Sequence, residues 1–166
     1  MIDADPTTEI RVKVADLAVG RDEQTLITIG LGSCVAIALY DAAARVGGLA
    51  HTLLPDESMA RDRSNPAKFP APAIATLLTE MARLGADRRR VRAKLVGGAS
   101  MFANLVPTGA INIGDRNVAA ARQALAECGI PILAEDVGSD YGRSVHFVLE
   151  DGRVEVRSLK KGNRVL

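Results

Sequence analysis

The sequence predicts an α+β fold, layered β-sheets with helices packed on the outside, in one domain covering residues 1–166. Two observations lead there. Strand-like segments recur from end to end, whereas only two stretches repeat their apolar residues at helical spacing. Strands and helices also do not alternate in the regular βαβ order that a parallel α/β sheet requires. A chain of 166 residues lies within the usual single-domain range of ~100–200 and buries enough apolar surface to fold without staples.

Ile10, Val12 and Val14 alternate with Arg11 and Lys13, the period-two pattern of a half-buried strand. Thr25 to Leu31 is a second, β-branched strand. Val35–Tyr40 and Val46–Leu54 are apolar runs on either side of Asp41 to Arg45 and predict a hairpin, with a helix over 35–44 as the competing reading because of the alanines. Pro55 to Pro72 mixes prolines with charges and predicts an exposed loop bordering whatever the preceding strand presents.

Ile74, Leu77, Leu78, Met81 and Leu84 recur at helical spacing before Gly85, a residue suited to a helix C-terminus. Val91 to Val96 predicts a strand ending in Gly97-Gly98. Val118, Ala121, Leu125 and Cys128 mark one face of a second helix, with Asp115 as its N-cap and Gly129 and Pro131 at its end. Ile130–Glu135, then Ser144–Leu149 and Val154–Val156 around Asp151-Gly152, predict a strand and a hairpin.

Composition excludes several function classes. Twenty-one Lys and Arg balance twenty Asp and Glu, and the chain has three Phe, two Tyr and no Trp to stack on bases, so nucleic acid is not an expected partner. The basic run Arg88-Arg89-Arg90 with Arg92 and Lys94 reads as a solvated turn. Two cysteines make no disulfide scaffold and fit a reducing compartment. Met1 to Glu9 is acidic rather than signal-like, and no apolar run reaches ~18 residues, so a cytoplasmic, non-inserted protein is expected.

Cys128 falls on an apolar helix face, where a small hydrophobe is wanted. Cys34 differs, because it follows the glycine-bearing turn Gly30-Leu31-Gly32-Ser33. Such a turn brings backbone N–H groups close to a substrate oxygen, which makes Gly32 and Ser33 candidate oxyanion-turn residues. A nucleophilic thiol also needs a base to hold it ionised. His146 lies within a strand and reads as an ordinary surface or core histidine, which leaves His51. With Tyr40 opposite Arg45 in the hairpin, Cys34 falls opposite His51 on one sheet face. Thr28, on the preceding strand, can orient His51 through its hydroxyl or its carbonyl. No metal-ligand cluster and no nucleotide-binding fingerprint is present, so neither metal nor cofactor is expected.

The segments Leu31-Gly32-Ser33-Cys34-Val35, Leu39-Tyr40-Asp41, Gly47-Gly48-Leu49-Ala50-His51, Leu54-Pro55, Ala93 to Ala99, Ile113 to Asn117, Asp136-Val137-Gly138 and Tyr141-Gly142-Arg143 together resemble the CheD family of chemoreceptor glutamine deamidases. They run in the family's order from about Thr25 to Val156. The chain departs from the pattern at Lys68 to Pro72, where a tyrosine-containing helix entry is frequent, and at Ser139, where a glycine is frequent.

The resemblance implies a triad of Cys34, His51 and Thr28, and a fold similar to the catalytic domain of the deamidating cytotoxic necrotizing factors. It implies hydrolysis of glutamine side chains to glutamate on the cytoplasmic domains of methyl-accepting chemotaxis receptors, with release of ammonia. It also implies a second partner, a CheC-type phosphatase. The rival readings are a non-catalytic module that tunes that phosphatase and a redox-sensing or structural protein. Joint dependence of function on Cys34 and His51 separates them.

Overall fold

The computed structural model describes residues 8–101 and 112–166. The acidic N-terminal stretch therefore lies, up to Thr7, outside the described residues. The strands are β1 (Glu9–Arg11), β2 (Leu17–Arg21), β3 (Thr25–Leu31), β4 (Val35–Asp41), β5 (Val46–Thr52), β6 (Arg92–Gly97), β7 (Ile132–Val137), β8 (Arg143–Val148), β9 (Val154–Ser158) and β10 (Gly162–Val165). The helices are α1 (Pro70–Arg83) and α2 (Ile113–Glu127). Neither they nor any other helix of the described residues is long and apolar enough to cross a membrane.

The strands form two five-stranded sheets, β1-β3-β8-β9-β10 and β2-β5-β4-β6-β7. The second sheet is the middle of three layers. Along β4, Val35, Ile37 and Leu39 pack against buried residues of α1 and α2, including Ile74, Leu77, Met81, Ala121 and Leu125. The intervening Ala36 and Ala38 face the first sheet, where they meet Leu26, Val145, Phe147 and Val156. Ala36 and Ala38 are thus small residues that let the two sheets approach, and the competing helix over 35–44 is not formed: Val35–Asp41 is a strand and Ala42 to Ala44 lie in the turn that follows it. The α+β layered fold holds, with both helices on one face.

Several boundaries differ from the sequence expectation, each for a local reason. β2 was not expected, because Leu17-Ala-Val-Gly-Arg21 alternates weakly and is half-buried along the sheet edge. β10 is exposed throughout and so has no apolar period. α1 begins at Pro70, inside the expected loop, because proline in the first turn loses no helical hydrogen bond. The N-cap of α2 is Asn112 rather than Asp115; the Asn112 side chain accepts from the Asp115 N–H at 3.1 Å, so Asp115 sits in the first turn. Nor is the arginine run merely solvated: Arg90 is 2.9 Å from the fully buried Asp41, whose carboxylate also accepts from three backbone N–H groups.

The loop after β5 starts at a buried Pro55, is exposed over residues 56–58 and 61–64, and then turns inward through Ala67, Phe69 and Pro70, so the expected exposure holds only for its middle. Lys68 O accepts from Leu53 N (2.9 Å) and Leu54 N (3.1 Å), which folds the loop back on the residues that follow His51.

Candidate active site

His51 and Thr28 meet across the gap between the two sheets. Both are fully buried, Thr28 on β3 and His51 on β5. Thr28 Oγ1 lies 2.6 Å from His51 Nδ1 and 2.7 Å from the carbonyl oxygen of Val12. A hydroxyl has one proton, and Val12 O can only accept it, so toward the ring Thr28 Oγ1 is the acceptor. Nδ1 therefore carries the imidazole proton and Nε2 keeps its lone pair. Nε2 is buried and has no hydrogen-bond partner among the described residues. The contact runs through the hydroxyl of Thr28, one of the two routes left open by the sequence.

Cys34 ends the three-residue passage by which the chain crosses from β3 in one sheet to β4 in the other. The expected register is corrected here. Asp41 pairs with Val46 and Ala36 with His51, so His51 does not lie opposite Cys34. The turn sets this. Arg45 takes a positive φ of 54° and leaves the ladder, and Asp41 Oδ1 accepts from Ala43 N and Ala44 N to close the turn one residue later on each strand. The resulting shift of two positions preserves the face, because side chains alternate with period two. Cys34 and His51 become diagonal neighbours on the sheet face that lines the inter-sheet gap, a relation that places backbones about 7–8 Å apart. They are not hydrogen-bonded to each other.

Burial acts oppositely on the two groups. It pushes the Cys34 thiol above its ordinary value, only partly countered by the residue's own backbone N–H, and it lowers the His51 imidazole. Both shifts favour a neutral thiol beside a neutral imidazole. Both directions run against the resting thiolate held by His51 that the sequence suggests.

The carbonyls of the crossing turn are all taken from one side. Gly32 O accepts from Ala99 N at 2.9 Å, Ser33 O from Asn117 Nδ2 at 2.9 Å, and Cys34 O from Gly98 N at 2.8 Å. Because a trans peptide points its C=O and the following N–H in opposite directions, the Ser33 and Cys34 amides are turned away from those donors. This is the geometry the Gly32-Ser33 turn needs to offer N–H groups to an oxyanion. Gly97 makes the close approach possible: it has a φ of 112°, and a Cβ there would land on the Cys34 carbonyl oxygen. The double glycine that fails as a phosphate loop packs beneath the Cys34 turn. Asn117 was legible only as part of the family resemblance, since an asparagine inside a helix has no signal of its own.

Cys128 caps the end of α2, half-buried against the helix-side core and distant in the fold from this turn. His146 is half-buried on β8, opposite Ile27, and belongs to no such arrangement.

Replacing Thr28 by valine keeps the shape but strands the Nδ1 proton and the Val12 carbonyl. We expect turnover to fall about 10- to 100-fold, as for loss of other groups that orient a reacting histidine. Stability should drop by roughly 1–3 kcal/mol for the unsatisfied buried groups. Thr28→Ser, which keeps the hydroxyl, should retain most activity. Steady-state rates and thermal melts of both variants check this, and equal turnover in Thr28→Val would remove the orienting contact from the account.

A thiol on a glycine-bearing turn, an imidazole with one free nitrogen, and a hydroxyl fixing its tautomer are the parts of a cysteine–histidine nucleophilic site. A family model described as "CheD chemotactic sensory transduction" matches residues 53–158. Proteins named "Probable chemoreceptor glutamine deamidase CheD" are 46% identical in Clostridium novyi (95% of this chain, 98% of the relative) and 48% identical in Moorella thermoacetica (95% of each). One from Caldanaerobacter subterraneus is 46% identical over 92% of this chain and 94% of its own. The chain belongs to the CheD family. The family match begins two residues after His51, so it does not itself rest on Thr28, Cys34 or His51. A solved structure of a Bacillus licheniformis hypothetical protein, YfiH, aligns at a TM-score of 0.45 with 18% identity, covering 73% of this chain and 50% of that one.

Proposed function

We propose that this chain deamidates glutamine side chains on the cytoplasmic domains of chemoreceptors, with Cys34 as nucleophile, His51 as base and acid, and Thr28 as the group that orients His51. The observation that carries this reading is the Thr28–His51 hydrogen bond at 2.6 Å, which leaves Nε2 unprotonated and free on the face that Cys34 shares. Names carried by relatives that align along nearly their whole length support the substrate class.

In the proposed reaction the Cys34 thiol rotates toward Nε2 and gives up its proton as the sulfur attacks the carboxamide carbon. The oxyanion is received by the Ser33 and Cys34 N–H groups. Collapse breaks the C–N bond; the Nε2 proton goes to the nitrogen, and ammonia departs from the thioester. Water then gives a proton to Nε2 and adds to the thioester carbonyl. The C–S bond breaks, Nε2 returns its proton to the sulfur, and the new glutamate loses its own proton to solvent. The loop 56–64, tethered to the residues after His51, is the proposed substrate-contacting element. The setting is the cytoplasm, with a CheC-type phosphatase as a second partner.

The test is ammonia release from purified receptor cytoplasmic domains, with mass spectrometry locating each amide-to-acid conversion. Substrate that stays unmodified with wild-type protein in excess overturns the proposal.

The pH profile should follow His51. Its imidazole is lowered from 6.5 by burial, so the acid limb of kcat/KM should have its midpoint below 6.5. A midpoint at or above 6.5 would contradict a buried neutral base.

A further inference from the structure

Asn117 is fully buried on α2, and its side chain faces two backbone carbonyls, Ser33 O at 2.9 Å and Leu53 O at 3.1 Å. Both are acceptors, so the amide must present Nδ2 there, one N–H to each. Oδ1 is left buried without a partner, a cost to stability accepted at this position. The two carbonyls lie where the β4–β5 ladder stops. Its last pair toward this end is Val35 with Thr52, and Ser33 and Leu53 lie just beyond it. Asn117 bridges the separating chains in place of the missing rungs. Ser33 directly precedes the thiol, and Leu53 follows His51 by two residues. Holding Ser33 O also aims the Cys34 N–H, since the two belong to one peptide plane.

We propose that Asn117 is a positioning residue that fixes the Cys34 turn relative to the strand bearing His51, and so sets turnover without touching substrate. This rests on the reading of Cys34 and His51 as the reacting groups. Asn117→Ala should lower kcat about 10- to 100-fold with KM little changed, the size of effect seen when an orienting group is removed. Leu125→Ala, a fully buried truncation on the same helix among helix-side core residues, is the control: it should lower the melting temperature at least as far while turnover per folded molecule stays near wild type. Equal kcat losses in the two variants, or a loss confined to KM, would overturn the proposal.

A second measurement needs no receptor. The pH midpoint for iodoacetamide alkylation of Cys34, followed by peptide mass mapping, should move down toward that of an ordinary thiol in Asn117→Ala, because a loosened turn admits water to the sulfur. It should not move in Leu125→Ala. An unmoved midpoint in Asn117→Ala would overturn the clamp. If wild-type protein released no ammonia from receptor, the proposed function would fall and this contrast would still decide on Asn117. Should Asn117→Ala fail to fold, side-chain amide exchange in wild-type protein replaces it: slow exchange of the Asn117 Nδ2 protons supports the bridge, and exchange as fast as that of an exposed asparagine refutes it.

Discussion

Cys34→Ala should release no ammonia from receptor domains while remaining folded. The loss should be complete because nothing else near the turn can form the thioester, and an alanine leaves the oxyanion donors facing a substrate with no nucleophile to join. The fold should persist because the side chain removed is small and lies at a crossing turn whose three carbonyls are held by Ala99, Asn117 and Gly98 rather than by the thiol. A cost near the ~1 kcal/mol typical of point substitutions is expected. Cys34→Ser should be nearly as inactive, since a hydroxyl is far harder to ionise than a thiol and the burial that already raises the thiol would raise it further. Cys128→Ala is the matched control and should keep full turnover per folded molecule. Ammonia release by folded Cys34→Ala, or its collapse in Cys128→Ala with unchanged melting, would show that the nucleophile had been misplaced.

How much of this was visible in the sequence depended on the range of the interaction. Helix α1 was legible because a buried face repeats at helical spacing, and β3 because Thr25, Ile27, Thr28 and Ile29 make it rich in β-branched residues. β2 and β10 were not, since an edge strand satisfies its backbone through a neighbour and asks little of its own side chains. The hairpin register was misread by two positions because it is decided by Asp41 and Arg45 inside the turn, not by the apolar pattern of the strands. The face survived that error: Cys34 and His51 still lie on the same side of their sheet. Thr28 could be placed on a strand before Cys34, but that it meets His51 from the opposite sheet follows from the stacking of two layers, which no local pattern records. Asn117 and Gly97 act on backbone atoms of the Cys34 turn from distant segments; their residue types are commonplace, and only the folded arrangement reveals what they hold.

His51→Gln or His51→Ala should approach Cys34→Ala in severity. The ring serves twice in the proposed reaction, taking the thiol proton during attack and giving it to the departing nitrogen, so its removal should cost at least ~10²–10⁴-fold. The effects should not add: Cys34→Ala combined with His51→Ala should be no worse than Cys34→Ala alone, because each step needs both groups. Stability offers a separate check with a definite sign. In the folded protein the buried imidazole binds a proton less readily than the ordinary value of 6.5, so below that pH the unfolded chain takes up more protons and wild-type stability falls as pH falls. Glutamine has no such proton to gain. Whatever packing His51→Gln loses at pH 7.5, the melting difference between variant and wild type should therefore shrink as pH is lowered through 6.5 toward 5. A difference that stays constant or widens would mean that His51 is not held neutral in the fold, and a variant that keeps both its turnover and its acid sensitivity would remove this histidine from the reaction altogether.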